Sequence, residues 1–178
     1  MNSPEQDQAF FKSGVPELET YLLSKELYWS GARTTDFTQL TLGAMLFVRE
    51  RLKGWRVAGL TELSMQMDAV RLKWRSAWEE KARREVRARG EMWKNFLAEA
   101  RERPSAEISR RYPYEVRLRA ILTLLLDDVR AAPEAWLTPL DAWLNLKLSG
   151  DAFVWDPSLA WNFPREKFWF LYGSLKGD

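Results

Sequence analysis

Residues 60–103 constrain this chain more than any other stretch. On a helical wheel at about 100° per residue, Leu60, Leu63, Met67, Val70, Trp74, Trp78, Ala82, Trp93, Phe96 and Ala100 share one broad face. The opposite face carries Arg83, Arg84, Arg87, Lys94 and Arg101. A single helix over 61–103 would be roughly 65 Å long at ~1.5 Å per residue. A compact chain of 178 residues has a radius of gyration of only about 16 Å. The helix must therefore bend or break, or the molecule is elongated. Gly90 is the expected weak point, because glycine in a helix interior costs about 1 kcal/mol relative to alanine. Thr61 is the expected N-cap.

The apolar stripe thins in the middle. Lys81, Glu85 and Arg89 fall on its side of the wheel, and the apolar residues there shrink to Ala82, Val86 and Ala88. Glu79 and Arg83, Glu80 and Arg84, and Glu85 and Arg89 are i,i+4 pairs in the favoured acid-first order, each weakly stabilising. Together they describe a helix that stands in water with little help from packing.

Prolines organise the rest. Pro16, Pro104, Pro113, Pro133, Pro139, Pro157 and Pro164 sit where helices can begin, since the hydrogen proline lacks would be unpaired at a first helical position anyway. Residues 1–14 read as a flexible tail, and 15–178 as a single helical domain. Helices are expected over 16–29, from a capping-box-like Asp36 and Gln39 through 53, and over 61–103. Another follows the break at Tyr112-Pro113, and another starts at Thr138-Pro139. The helix after Pro113 is apolar nearly all round between Ala120 and Leu126, the mark of a central element. Segment 151–178 is aromatic-rich and punctuated by Pro157 and Pro164, so it reads as irregular structure wrapped on the bundle. Period-2 alternation is nowhere sustained. The expected fold is all-α: a bundle of five or six helices, with Trp74, Trp78, Trp93, Phe96, Ile121, Leu122, Leu125 and Val129 in its core.

Composition removes whole classes of chemistry. Cys is absent, which excludes disulfides, thiolate nucleophiles and zinc-thiolate sites, and fits a cytoplasmic protein. His is absent too, removing the commonest general base and metal ligand. No phosphate loop, dinucleotide fingerprint or nucleophile elbow is present. Adjacent acids such as Asp127-Asp128 and Glu79-Glu80 point about 100° apart on a helix, so neither pair is a two-carboxylate site. No catalytic residue, metal ligand or cofactor is assigned. The longest apolar runs, such as 42–48, are far short of the about 20 residues a membrane span needs.

Charge is the remaining signal. Residues 71–119 hold fifteen Lys and Arg against eight Asp and Glu, although the whole chain is only +2. Arg83, Arg84, Arg87, Lys94, Arg110 and Arg111 are the candidate binding residues. The leading expectation is a non-enzymatic interaction or adaptor protein that binds a protein partner or a second copy of itself. The alternative is a nucleic-acid-binding protein using the basic 71–119 face, which requires those six cations to form one continuous unpaired patch. The second alternative is a carboxylate-metal enzyme, which requires at least three acids directed inward.

Overall fold

The computed structural model describes residues 2–175. The fold is all-α. Eight α-helices and one two-stranded sheet account for its regular structure among the described residues, with short 3₁₀ turns between them. The chain divides into two compact units, Met1–Val86 and Arg87–Asp178.

The first unit begins with α1 (Pro4–Leu23), not with a flexible tail. A capping box starts it: the Ser3 hydroxyl accepts from the Gln6 backbone, and the Gln6 side chain accepts from the Ser3 backbone. Pro4 takes the first turn, where its missing hydrogen costs nothing. Phe10 and Phe11 are buried within the stretch read as a tail, and Leu18, Tyr21 and Leu22 are buried beyond it. Pro16, the expected start, lies inside the helix. Proline there removes one helical bond, but apolar burial on both sides of it holds the helix through that gap. At Gly14 the helices approach so closely that a Cβ would lie 2.7 Å from Met45 Sδ of α2 (Leu42–Gly54).

The loop before α2 is pinned by a bridge between Trp29 and Leu40. Thr41, not Asp36, caps α2, its hydroxyl accepting from Ala44 N. Every residue from 42 to 48 is buried, which makes α2 the central helix of this unit. The next helix, α3 (Leu60–Lys73), starts after Gly59 at φ +77°, and Thr61 does not cap it. It ends at Trp74, whose dihedrals (φ −115°, ψ 37°) leave the helical region. The fourth helix, α4, resumes at once and runs Arg75–Glu102.

The long helix therefore breaks at Trp74 and continues through Gly90. The break separates two unlike helices. Only Met67 is buried in α3, whereas α4 buries Trp78, Ala82 and Val86 in this unit. Gly90 serves packing instead: a Cβ there would lie 2.8 Å from the Trp136 ring.

In the second unit α4 contributes Trp93, Phe96, Leu97 and Ala100 to the core. Ser105 caps α5 (Ala106–Glu115), accepting from Ile108 N. Pro113 falls inside α5, and the chain turns at Val116 before α6 (Arg117–Asp128). The Pro113 carbonyl accepts a 2.7 Å hydrogen bond from the Trp155 indole. As expected, α6 is buried nearly all round, with Ile121, Leu122 and Leu125 inside. Val129, like Trp74 in the first unit, is only half-buried. Helix α7 (Leu137–Lys147) starts beside Pro139.

The aromatic segment is more regular than its prolines suggest. Strand β1 (Leu148–Phe153) pairs antiparallel with β2 (Tyr172–Leu175), with an irregularity between Ser149 and Phe153. Two 3₁₀ turns, Pro157–Asn162 and Trp169–Leu171, and α8 (Arg165–Phe168) fill the excursion between them. Edge-on ring contacts link Phe153, Trp155, Phe163, Phe168 and Phe170 in sequence. Tyr112 Oη donates to the Phe170 carbonyl at 2.6 Å, and Tyr172 Oη to that of Phe163 at 2.9 Å. The alternation signal is missing from the sequence because the strands are short and bulged.

Candidate functional site

The six candidate cations do not form one unpaired patch. Arg83 pairs with Glu79 at 3.2 Å, and Arg84 donates to the Lys25 carbonyl at 3.0 Å. Lys94 pairs with Glu91 at 2.7 Å and lies 4.4 Å from the centre of the Trp136 ring. Arg111 bridges both oxygens of Glu99 and reaches Glu115. Those two carboxylates hold its guanidinium above its ordinary pKa. Of the six, only Arg87 and Arg110 are exposed without a polar partner among the described residues. The acids of the basic stretch pair with Arg83, Lys94 and Arg111 and so neutralise part of it.

The charges that thin the apolar stripe are buried rather than solvated. Lys81, Glu85 and Arg89 are at most 8% exposed. The Glu85 carboxylate sits at the N-terminus of α2, accepting from Thr41 Oγ1 at 2.6 Å and from Gly43 N at 2.8 Å. A helix N-terminus is where a carboxylate is best stabilised, because unpaired backbone hydrogens and the dipole both face it. Lys81 donates to the Glu26 carbonyl and to Ser24, and lies over the Tyr21 ring. Burial, then the nearby Arg84, lowers its pKa. The clue was in the sequence: polar residues on an apolar face have to find partners or stay wet, and these find partners.

A second ionic cluster is invisible in the sequence. Arg51 is wholly buried in α2, in contact with Asp7 Oδ2 at 3.0 Å and Asp36 Oδ2 at 3.2 Å. It also donates to the Asn2 carbonyl at 2.8 Å. Asn2 closes the cluster, its backbone N–H donating to Asp36 and its amide to Asp7. The guanidinium lies over the Phe47 and Trp55 rings. Asp7 is raised to about 6, chiefly by burial, which outweighs the pull of Arg51. That value suits acid-base work, yet Asp7 is 0% exposed and no substrate reaches it. The cluster ties the chain start, the loop at Asp36 and α2 together.

Two further features face outward. On α3, Met65 (63% exposed), Ala69 and Leu72 (77% exposed) stand at i, i+4 and i+7, in line on one face. In the second unit a cleft of about 170 Å³ is lined by Ala100, Arg101, Ile108, Trp143, Lys147 and Leu175, with Pro104 beside them. Among the described residues no three acids are grouped to hold a metal ion, and no helix is long and apolar enough to cross a membrane. No protein-family model matches the chain, and no curated protein or solved structure shows significant similarity to it.

Proposed function

We propose that the chain is a non-enzymatic interaction protein of the cytoplasm, and that it presents the outward face of α3 to a helical partner. The observation that carries this reading is the exposed line of Met65, Ala69 and Leu72. Helix-in-groove recognition uses apolar anchors at this spacing, and α3 buries only Met67 within its own unit.

A second copy of the chain fits this face by the spacing of its apolar residues. In an antiparallel pair related by a two-fold axis, Met65 of one copy meets Leu72 of the other. Residues 68 and 69 then straddle the axis, where the small Ala69 lets the helices approach. The stripe is small, so the dimer is transient, with a dissociation constant on the order of 10⁻⁴ M.

The nucleic-acid reading draws no support, since four of the six cations are already engaged. The carboxylate-metal reading lacks its three-acid cluster among the described residues.

The test uses the absence of cysteine. Ala69→Cys introduces the only thiol, so any disulfide is between chains. Under mild oxidation a cross-linked dimer is expected, and adding Leu72→Asp should abolish it. An Ala69→Cys chain that stays monomeric, or cross-links no faster than an exposed control at Glu107→Cys, rules out self-association.

A further inference from the structure

The cleft in the second unit has the chemistry of a ligand site. Its floor is apolar: Ala100 of α4, Ile108 of α5 and Leu175 of β2 are each no more than 5% exposed. The half-buried Trp143 indole forms a wall. Arg101 and Lys147 belong to its lining, and both are exposed. They stand in the last turns of α4 and α7. The Arg101 guanidinium lies 5.8 Å from the centre of the Trp143 ring. Among the described residues neither cation has a carboxylate partner and no acid lines the cleft. This sets them apart from Arg111, Lys94 and Arg83, each held by an acid. Lys147 is one helical turn beyond Trp143, so the ammonium and the indole share a face of α7.

We propose that this cleft binds a small anion carrying one planar apolar ring, such as an aryl carboxylate or aryl phosphate. The ring lies on Ala100, Ile108 and Leu175 against the Trp143 indole. The anionic group meets Arg101 and Lys147. A guanidinium fork matches carboxylate and phosphate oxygens in pairs, whereas the lysine acts as a point charge. The volume sets the size of the ligand. Sites for drug-sized molecules run to about 300–1,000 Å³, so this one takes a single ring. Affinity for so small a ligand is correspondingly modest, a Kd on the order of 1 mM.

The test is a titration of the full chain with benzoate, phenyl phosphate and inorganic phosphate, followed on the tryptophan indole N–H resonances. Trp143→Phe identifies the Trp143 signal among the ten tryptophans. The two aryl anions are expected to shift that signal saturably, with inorganic phosphate at least tenfold weaker. Arg101→Gln and Lys147→Gln should each weaken aryl-anion binding about tenfold and leave far-ultraviolet circular dichroism unchanged. Arg103→Gln, an exposed cation outside the cleft, should bind as the parent does. A Trp143 signal that does not saturate overturns the proposal, as does binding that survives both cleft substitutions. Equal loss in Arg103→Gln overturns it too, because the effect would then be general charge. Inorganic phosphate binding as tightly as phenyl phosphate overturns the role given to the ring.

Discussion

Arg51 holds two carboxylates out of water, and removing it would strand both. Arg51→Met is expected to cost about 3–5 kcal/mol, the penalty for leaving buried charge without a partner, read as a fall in urea midpoint. Asp7 works in the other direction. Its folded pKa of about 6 lies above the ordinary 3.8, so the folded state holds this proton more tightly than the unfolded chain does. Its contribution to stability is therefore fully present below about pH 4 and is lost as pH rises through about 6, a span on the order of 3 kcal/mol. Glu5, Glu19 and Glu79 are held below their ordinary pKa by hydrogen bonds, to Ser3, Lys73 and Arg75 respectively, and give the opposite slope. The difference between parent and Asp7→Asn isolates the buried carboxyl. Asp7→Asn should gain relative to the parent from pH 4 to 7, and a flat difference in melting temperature would refute the assignment. None of this cluster was legible. Asp7, Asp36 and Arg51 are far apart in sequence, and no local pattern links them.

Local signals found most helices and misplaced their ends. The period of α4, the apolar run of α6 and the start of α7 were all readable, because each depends on neighbouring residues. The start of α2 was not, because groups distant in sequence set it, and neither was the break at Trp74. Asp36 looked like a cap but serves Arg51, while Glu85, distant in sequence, supplies the carboxylate at the start of α2. Glu85→Leu should take away the acceptor of the Thr41 hydroxyl hydrogen and of the buried Gly43 N–H, costing about 1–3 kcal/mol for each donor stranded. Hydrogen exchange would then rise first at residues 43–45. An unchanged exchange pattern would show that α2 does not need this carboxylate. At Gly90, propensity alone predicts that Gly90→Ala stabilises α4. The Trp136 ring reverses the sign, with an expected loss of about 1–3 kcal/mol. Adding Trp136→Leu should return most of it, and a stabilised single variant would show that the ring moves aside.

At the scale of the whole molecule, the sequence suggested a basic segment over 71–119 in a nearly neutral chain. The structure resolves part of that polarity into local pairs, including Arg119 with Asp141 and Lys73 with Glu19. With several of its cations already paired, such a surface offers a phosphate backbone fewer contacts than the sequence count implies. No binding to single-stranded RNA or duplex DNA is expected even at about 50 mM salt, where phosphate contacts are strongest. Retardation that weakens steeply with added salt would refute this. The candidate sites argued above, the α3 stripe and the α4–α7 cleft, were not legible as sites. Met65 and Leu72 looked like any helical apolar residues, and the cleft exists only because α4, α5, α7 and β2 converge.

One helix, α4, gives Trp78 and Glu85 to the first unit and Trp93 and Phe96 to the second. The unit boundary at Val86 and Arg87 therefore cuts through the middle of a helix rather than a linker. The chain cannot be dissected into separately expressed halves, as proteins with a flexible hinge can. A gene split at that point would give each fragment a helical stub near the length at which isolated helices stop being stable. The two pieces should be insoluble or molten alone, each having lost the turns that continue its own part of α4.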